Sequence, residues 1–359
     1  MFRLSGPAGS GKTTIIRTIV EQHEDLKVAV TSLAGKASDV LRSKGLPQAV
    51  NLHQLWYLPL PHLIEERNSL EFELKYGDLD PAAADWTIRR IDELERTMFI
   101  PAEDTEHDLI IVDEASMVDA KVTQDLLQFG RPILAVGDAN QLPPVGKTPP
   151  GLVPLFADQD PDHRLTRNHR STEAPLITAA AEAAISGLPL PAEIVVSPDD
   201  VRPEEYDVVI VSQNKSRWHY VKRVREARGL PTRLPVAGDE IMIFRNDRER
   251  RLFNGMIVRV DQLRVADAVP DMATVVLDDG TMFPLDLRGF VNQKSLDEAL
   301  KQSPFVVASW SEAMTCHKAQ GSEWPKVLVA DQQGEWTGTS HRWLYTAVTR
   351  ARSEVAVVA

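Results

Sequence analysis

Three short stretches hold the residue types that phosphate chemistry needs. Gly6-Pro7-Ala8-Gly9-Ser10-Gly11-Lys12-Thr13, with Thr14 behind it, fits the phosphate-cradling pattern G-x-x-x-x-G-K-[ST]. Its glycines let the backbone curl so that successive N–H groups point at phosphate oxygens. A helix opening near Lys12 adds the positive end of its dipole. Pro7, Ala8, Gly9, Ser10, Gly11, Lys12, Thr13 and Thr14 would line a nucleotide's phosphates. Lys12 would reach the outer ones, and the Thr13 hydroxyl would hold Mg²⁺. The plain alternative is a Gly-rich turn before an ordinary helix. Context cuts it back, because Phe2-Arg3-Leu4 reads as the preceding strand and Ile15-Ile16-Arg17-Thr18-Ile19-Val20 as the following helix.

The second stretch is Asp113-Glu114-Ala115-Ser116, at the carboxyl end of the apolar run Leu109-Ile110-Ile111-Val112, where open α/β sheets place their ligands. Asp113 can hold the Mg²⁺ shell. Glu114 can orient and deprotonate a water in line with the γ-phosphate. The third follows the run Pro132–Val136. It carries Gln141 on the loop from Gly137 to Val145, where an amide could touch both γ-phosphate and water. A proline-stiffened turn explains that loop equally well. Leu165–Arg170 and Tyr345–Arg352 each offer arginines, the side chain that transition-state charge on a phosphoryl group calls for, although a lone arginine is ordinarily a surface residue. Cys316 and His317, in Ala313–Glu323, suggest neither a metal nor a nucleophile, since no other Cys and no His cluster accompanies them.

The positioning elements follow from pattern. A chain of 359 residues suggests two or three domains, and 43% hydrophobic residues is a globular composition. No run approaches the ~18 apolar residues of a membrane span. A P-loop beginning at Gly6 predicts no cleavable leader, and a single cysteine, Cys316, fits a reducing, cytoplasmic compartment. A net charge of -12 argues against nucleic-acid binding through overall charge, but it leaves room for a local basic groove. Val28–Thr31 and the segment Ser32–Leu41 read as a βα unit. From about Leu60 to Phe99 the chain turns charged and helical, an insertion in the first domain. Pro149 to Asp162 reads as a linker. A second α/β set has expected strands at Val208–Val211, Val306–Ala308, Val327–Ala330 and Val355–Val358. A β-rich patch from about Val236 to Phe305, with a hairpin turn at Asp279-Gly280, reads as a small inserted barrel.

Gly6–Thr13, Asp113–Ser116, Gly137–Pro144, Thr315–Glu323 and Val348–Arg352 occur in the order and with the spacing of helicase motifs. The chain resembles superfamily 1 helicases, and within them the RecD-like group of superfamily 1B, over nearly its whole length. The resemblance implies an α/β fold of two RecA-like P-loop domains with ATP between them. Residues 1–160 would form the first, with a helical insertion at about 60–100. Residues 161–235 and 306–359 would form the second, with an SH3-like β-barrel inserted at 236–305. It implies Arg170 and Arg350 as the arginines reaching ATP, Gly321 beside the γ-phosphate and Glu323 on the ribose. It also implies a track for single-stranded DNA, with Lys36, Asn51, His53, Asn214, Arg217, Thr315, His317 and Lys318 as candidates. Two matches are imperfect. The family's T-G-K-A-A is here Ala34-Gly35-Lys36-Ala37-Ser38, and its T-I-H is Asn51-Leu52-His53, so each lacks a phosphate-binding hydroxyl. The basic run Lys215–Arg225 interleaves aromatics, as stacking on DNA requires, but it also fits a helix packing Trp218, Val221 and Val224 inward.

These features predict an ATP- and Mg²⁺-dependent helicase on single-stranded and forked duplex DNA, moving 5′ to 3′ if it follows the family, with no membrane partner. The rival from another class is a DNA-bound ATPase switch that recruits partners without unwinding. A small-molecule kinase has no use for a second α/β domain with arginines, and Asn214-Lys215-Ser216-Arg217 lacks the acidic residue that reads guanine. Only Met1 to Ser5 precede the P-loop, so no upstream glutamine is expected to read adenine, and permissive use of ATP, GTP and dATP is the expectation.

Overall fold

Two parallel sheets and a closed barrel carry the chain in its computed structural model, which describes residues 1–77, 79–97, 99–144, 148, 151–156, 160–167, 174–247, 250, 252–266, 269, 271–330 and 340–358. The first sheet has the strand order Val50–Asn51, Val28–Ser32, Leu109–Asp113, Ile133–Gly137, Phe2–Ser5, His163–Arg164, all parallel. The second runs Ala313–Thr315, Val208–Val211, Trp324–Ala330, Ala351–Val358, Val195–Val196, again parallel. Parallel strands covered on both faces must be apolar throughout, which is why Ile110, Ile111 and Val112, and likewise Val208 to Val211, are fully buried. Ile16 of the helix Lys12–Gln22 packs with Leu4, Val30, Leu41, Ile111 and Val136, fixing that helix against the first sheet.

The barrel consists of Glu240–Ile243, Ile257–Val265, Met272–Leu277, Met282–Asp286 and Val306–Trp310. Strict in–out alternation along Met272–Leu277 marks a strand with one face in a core. The expected hairpin turn is present: Gly280 adopts φ 82°, and the strands on either side pair antiparallel. One strand differs from expectation. Val306–Trp310 does not join the second sheet but closes the barrel by pairing with Met282–Asp286, and Ala313–Thr315 takes the sheet position beside Val208–Val211. All five residues of Val306–Trp310 are buried, and a run without polar–apolar alternation carries no mark of which sheet it completes.

Contacts divide the chain into two compact units. One comprises Met1–Asn51, Glu106–Thr232 and Trp310–Ala359 and holds both parallel sheets. The other comprises Leu52–Thr105 and Arg233–Ser309 and holds the barrel. It also contains helices Pro61–Tyr76 and Pro81–Thr97, bridged by the Arg90 guanidinium on both carboxylate oxygens of Glu66 at 2.8 and 3.2 Å. Among the described residues no helix is long and apolar enough to cross a membrane.

Candidate nucleotide site

The P-loop curls because Gly9 and Gly11 stand at φ 78° and 86°, where a side chain would be strained. Helix Lys12–Gln22 starts immediately after. Lys12 bends back so that its Nζ donates to the carbonyls of Gly6 at 2.7 Å and Pro7 at 3.0 Å, holding the ammonium at the mouth of the loop. Strand Leu109–Asp113 ends beside it. Glu114 then adopts φ 52°, a conformation costly for a non-glycine residue and found where a site requires it. Burial first, and the neighbouring Glu114 charge second, push the Asp113 carboxyl up to about 6, with Lys12 opposing.

These groups line a cleft of 1130 Å³, ample for a nucleoside triphosphate. Its walls bring together Ala8 to Thr14, Asp113, Glu114, Gln141, Gly321, Glu323 and Arg350, all expected at the site. Pro7 contributes through its carbonyl to Lys12. Among the described residues, the cleft is lined by Lys12, Arg17, Lys36, Lys44, Arg164, Arg167, Arg350 and Arg352 against Asp113, Glu114 and Glu323, so it is strongly basic in a chain of net charge -12. Arg350 is buried, donating to the carbonyls of Thr346 at 3.0 Å and Ser322 at 3.3 Å. Arg170 lies outside the described residues. The Thr13 hydroxyl and Asp113 carboxylate supply the hard oxygen donors that Mg²⁺ prefers, and a dication there would reverse the raised pKa of Asp113. The residues present therefore fit Mg²⁺.

Several cleft residues escaped the motif-based prediction. Arg17 is one helical turn beyond Thr13 on the P-loop helix, a spacing that could have flagged it. Lys44 follows the end of helix Gly35–Ser43, a less legible signal.

The expected DNA candidates scatter. Lys36 lines the nucleotide cleft, its Nζ 5.1 Å from the Trp324 ring centroid. The Asn51 amide donates to the Leu33 carbonyl, and the Ser32 and Ser38 hydroxyls bond each other at 2.7 Å. His53 belongs to the other unit, its ring centroid 4.7 Å from that of Tyr57 with the planes tilted by 47°. Asn214 is exposed at the start of helix Asn214–Ala227. Thr315, His317 and Lys318 are half-buried around the short helix Cys316–Ala319. Burial lowers the pKa of His317, and burial with Arg217 lowers that of Lys318 to about 8.

Arg217 needs correction. It is 2% exposed, and its guanidinium donates to the carbonyls of Ala313 at 3.1 Å and Trp310 at 2.8 Å. Its helix packs inward through Val221 and Val224, and Arg225 is fully buried against Trp310 and Glu312. Arg217 ties that helix to the segment before Thr315 and cannot meet a DNA phosphate from there. Arg217→Met should therefore cost ~1–3 kcal/mol of stability by stripping two buried carbonyls of a charged donor. It should leave the salt dependence of single-stranded DNA binding unchanged. A slope reduced by about 0.7 with stability intact would restore a phosphate contact.

The AAA domain profile matches residues 1–192, and the UvrD-like helicase C-terminal domain profile matches residues 311–358. The chain belongs to the AAA domain family, in the RecD-like group of superfamily 1B. This AAA-domain protein is 25% identical to the ATP-dependent RecD2 DNA helicase of Deinococcus radiodurans, over 97% of the chain and 45% of that protein. It is 26% identical to the RecBCD enzyme subunit RecD of Mycolicibacterium smegmatis, over 99% of the chain and 67% of that subunit. The chain thus spans less than half the length of the RecD2 relative. Its fold is similar to a solved Pif1 helicase from work on unwinding at forked duplex DNA, with TM-score 0.60 and 18% identity, covering 99% of this chain and 87% of that one.

Proposed function

We propose that this RecD-like protein hydrolyses ATP in the cleft and uses the cycle to move along single-stranded DNA and open forked duplexes. The observation that carries this is the make-up of the cleft wall. The P-loop, Asp113, Glu114 and Gln141 come from the first sheet's strand ends and loops, while Gly321, Glu323 and Arg350 come from segments of the second. In this reading residues 1–160 and 161–235 with 311–359 are RecA-like halves that ATP draws together and hydrolysis releases. Mg²⁺ held by Thr13 and Asp113 would neutralise charge on the phosphates. Lys12 binds the outer phosphates, Glu114 takes the proton of the attacking water, and Arg350 and Arg170 meet the charge that develops. Polarity is taken as 5′ to 3′ and the setting as cytoplasmic. The RecD, RecD2 and Pif1 likenesses support the choice of DNA as partner.

The test is ATP turnover with and without single-stranded DNA, followed by unwinding of a forked duplex. Strong stimulation with unwinding supports the proposal, and stimulation without unwinding favours the ATPase-switch alternative. Affinity for single-stranded DNA should fall with salt at a modest slope, of about 0.7 per phosphate contact, because few cations lie outside the nucleotide cleft among the DNA candidates. A salt-independent affinity would contradict a phosphate-lined track.

A further inference from the structure

The loop bearing Gln141 is gripped from the second sheet's segments at three points. The Tyr345 hydroxyl donates to Asp138 Oδ2 at 2.5 Å. The Leu142 N–H donates to Thr346 Oγ1 at 2.9 Å, and Gln320 Nε2 donates to the Leu142 carbonyl at 3.1 Å. Thr346 gives its own proton to the Arg342 carbonyl at 2.7 Å, which leaves its lone pairs for Leu142. Tyr345, Thr346, Asp138 and Leu142 are all buried. Burial, and then the Asp138 carboxylate, hold the Tyr345 phenol far above its usual range, so it stays a donor, with the Ala8 amide of the P-loop beside its oxygen. Between the gripped positions sits Gln141. It is 4% exposed, it lines the cleft, and its Oε1 finds no hydrogen-bond partner among the described residues. A buried amide oxygen left open in this way points to a ligand that completes it.

We propose that Tyr345, acting through Asp138 and with Thr346 on Leu142, is a positioning residue. It holds the Gln141 amide so that its oxygen accepts a hydrogen bond from the water that attacks the γ-phosphate. Gln141 makes no covalent bond and takes no proton, which goes to Glu114. The same contacts make the aim of Gln141 depend on the segment that carries Arg350, so water and arginine are placed together. This inference rests on the cleft being an ATPase site.

The experiment is steady-state ATP turnover of the full chain at saturating single-stranded DNA, for Tyr345→Phe, Gln141→Ala, the double variant, Thr346→Val and Thr346→Ser. Tyr345→Phe should lower kcat about tenfold with KM within about twofold, as loss of one hydrogen bond to a charged group predicts. It should add nothing in the Gln141→Ala background, because its effect passes through that amide. Thr346→Val should fall likewise, and Thr346→Ser should restore turnover. A Tyr345→Phe loss of the same factor with and without Gln141 overturns the positioning role, as does a change in KM alone. Absence of hydrolysis by the unsubstituted chain would instead overturn the ATPase assignment, and the inference with it.

Discussion

Glu114→Gln is expected to keep nucleotide and DNA binding while turnover falls by about 10²–10⁴-fold, the usual contribution of a positioned general base. Gln matches Glu in size, so it inherits the unusual φ 52° backbone at the end of strand Leu109–Asp113 without new strain. What disappears is the acceptor for the water's proton. The substitution also removes the negative neighbour that helps raise the Asp113 carboxyl to about 6. Asp113 should then ionise more readily, and Mg²⁺-nucleotide affinity should hold or tighten. Single-turnover hydrolysis beside equilibrium nucleotide binding separates the two effects. Near-normal hydrolysis would take Glu114 out of the mechanism.

The second large effect is expected at Arg350. Arg350→Ala should lower kcat by about 10³-fold or more, within the range for an arginine that meets transition-state charge, while ATP affinity changes far less. The guanidinium also binds the Thr346 and Ser322 carbonyls and touches Thr349 Oγ1 at 3.2 Å, so a structural loss must be told apart from a chemical one. Arg350→Lys keeps a charge but cannot span those carbonyls with a planar fork. A thermal melt shows what the fold loses, and kcat shows what the reaction loses. A rise in KM with kcat preserved would make Arg350 a ground-state binder. Arg170→Ala should behave in the same way if it is the second arginine at the site.

The candidate nucleotide site was legible because each part is local. The Gly9 and Gly11 turn, the Asp113-Glu114 strand end and the Gly137–Pro144 loop each lie within a few residues, and parallel-sheet topology gathers strand ends on one side. The rest is decided by partners remote in sequence. Arg217 stands in a basic, aromatic run that suits DNA, but its acceptors are Trp310 and Ala313, more than ninety positions onward, and no local pattern reports them. Val306–Trp310 reads as a buried strand and is one, yet closure of the barrel is set by its pairing with Leu285 and Asp286. Lys36 carried a motif for DNA and lies in the nucleotide cleft beside Trp324, a neighbour fixed only by tertiary packing. Tyr345, Thr346 and Gln320 sit inside recognised segments, but their hydrogen bonds to the Gln141 loop emerge only when the two sheets are placed together.

Cys316 has a practical consequence. It is the chain's one cysteine, fully buried, with its thiol turned to the Trp343 carbonyl at 3.6 Å and pushed up to about 12 by burial. Thiolate is the species that reacts with maleimides, and at neutral pH this site supplies neither thiolate nor access. The unaltered chain is therefore a ready background for fluorophore labelling. A pair of cysteines placed on exposed positions can be tagged without first removing the native thiol, and energy transfer between the two labels then reports any change in their separation.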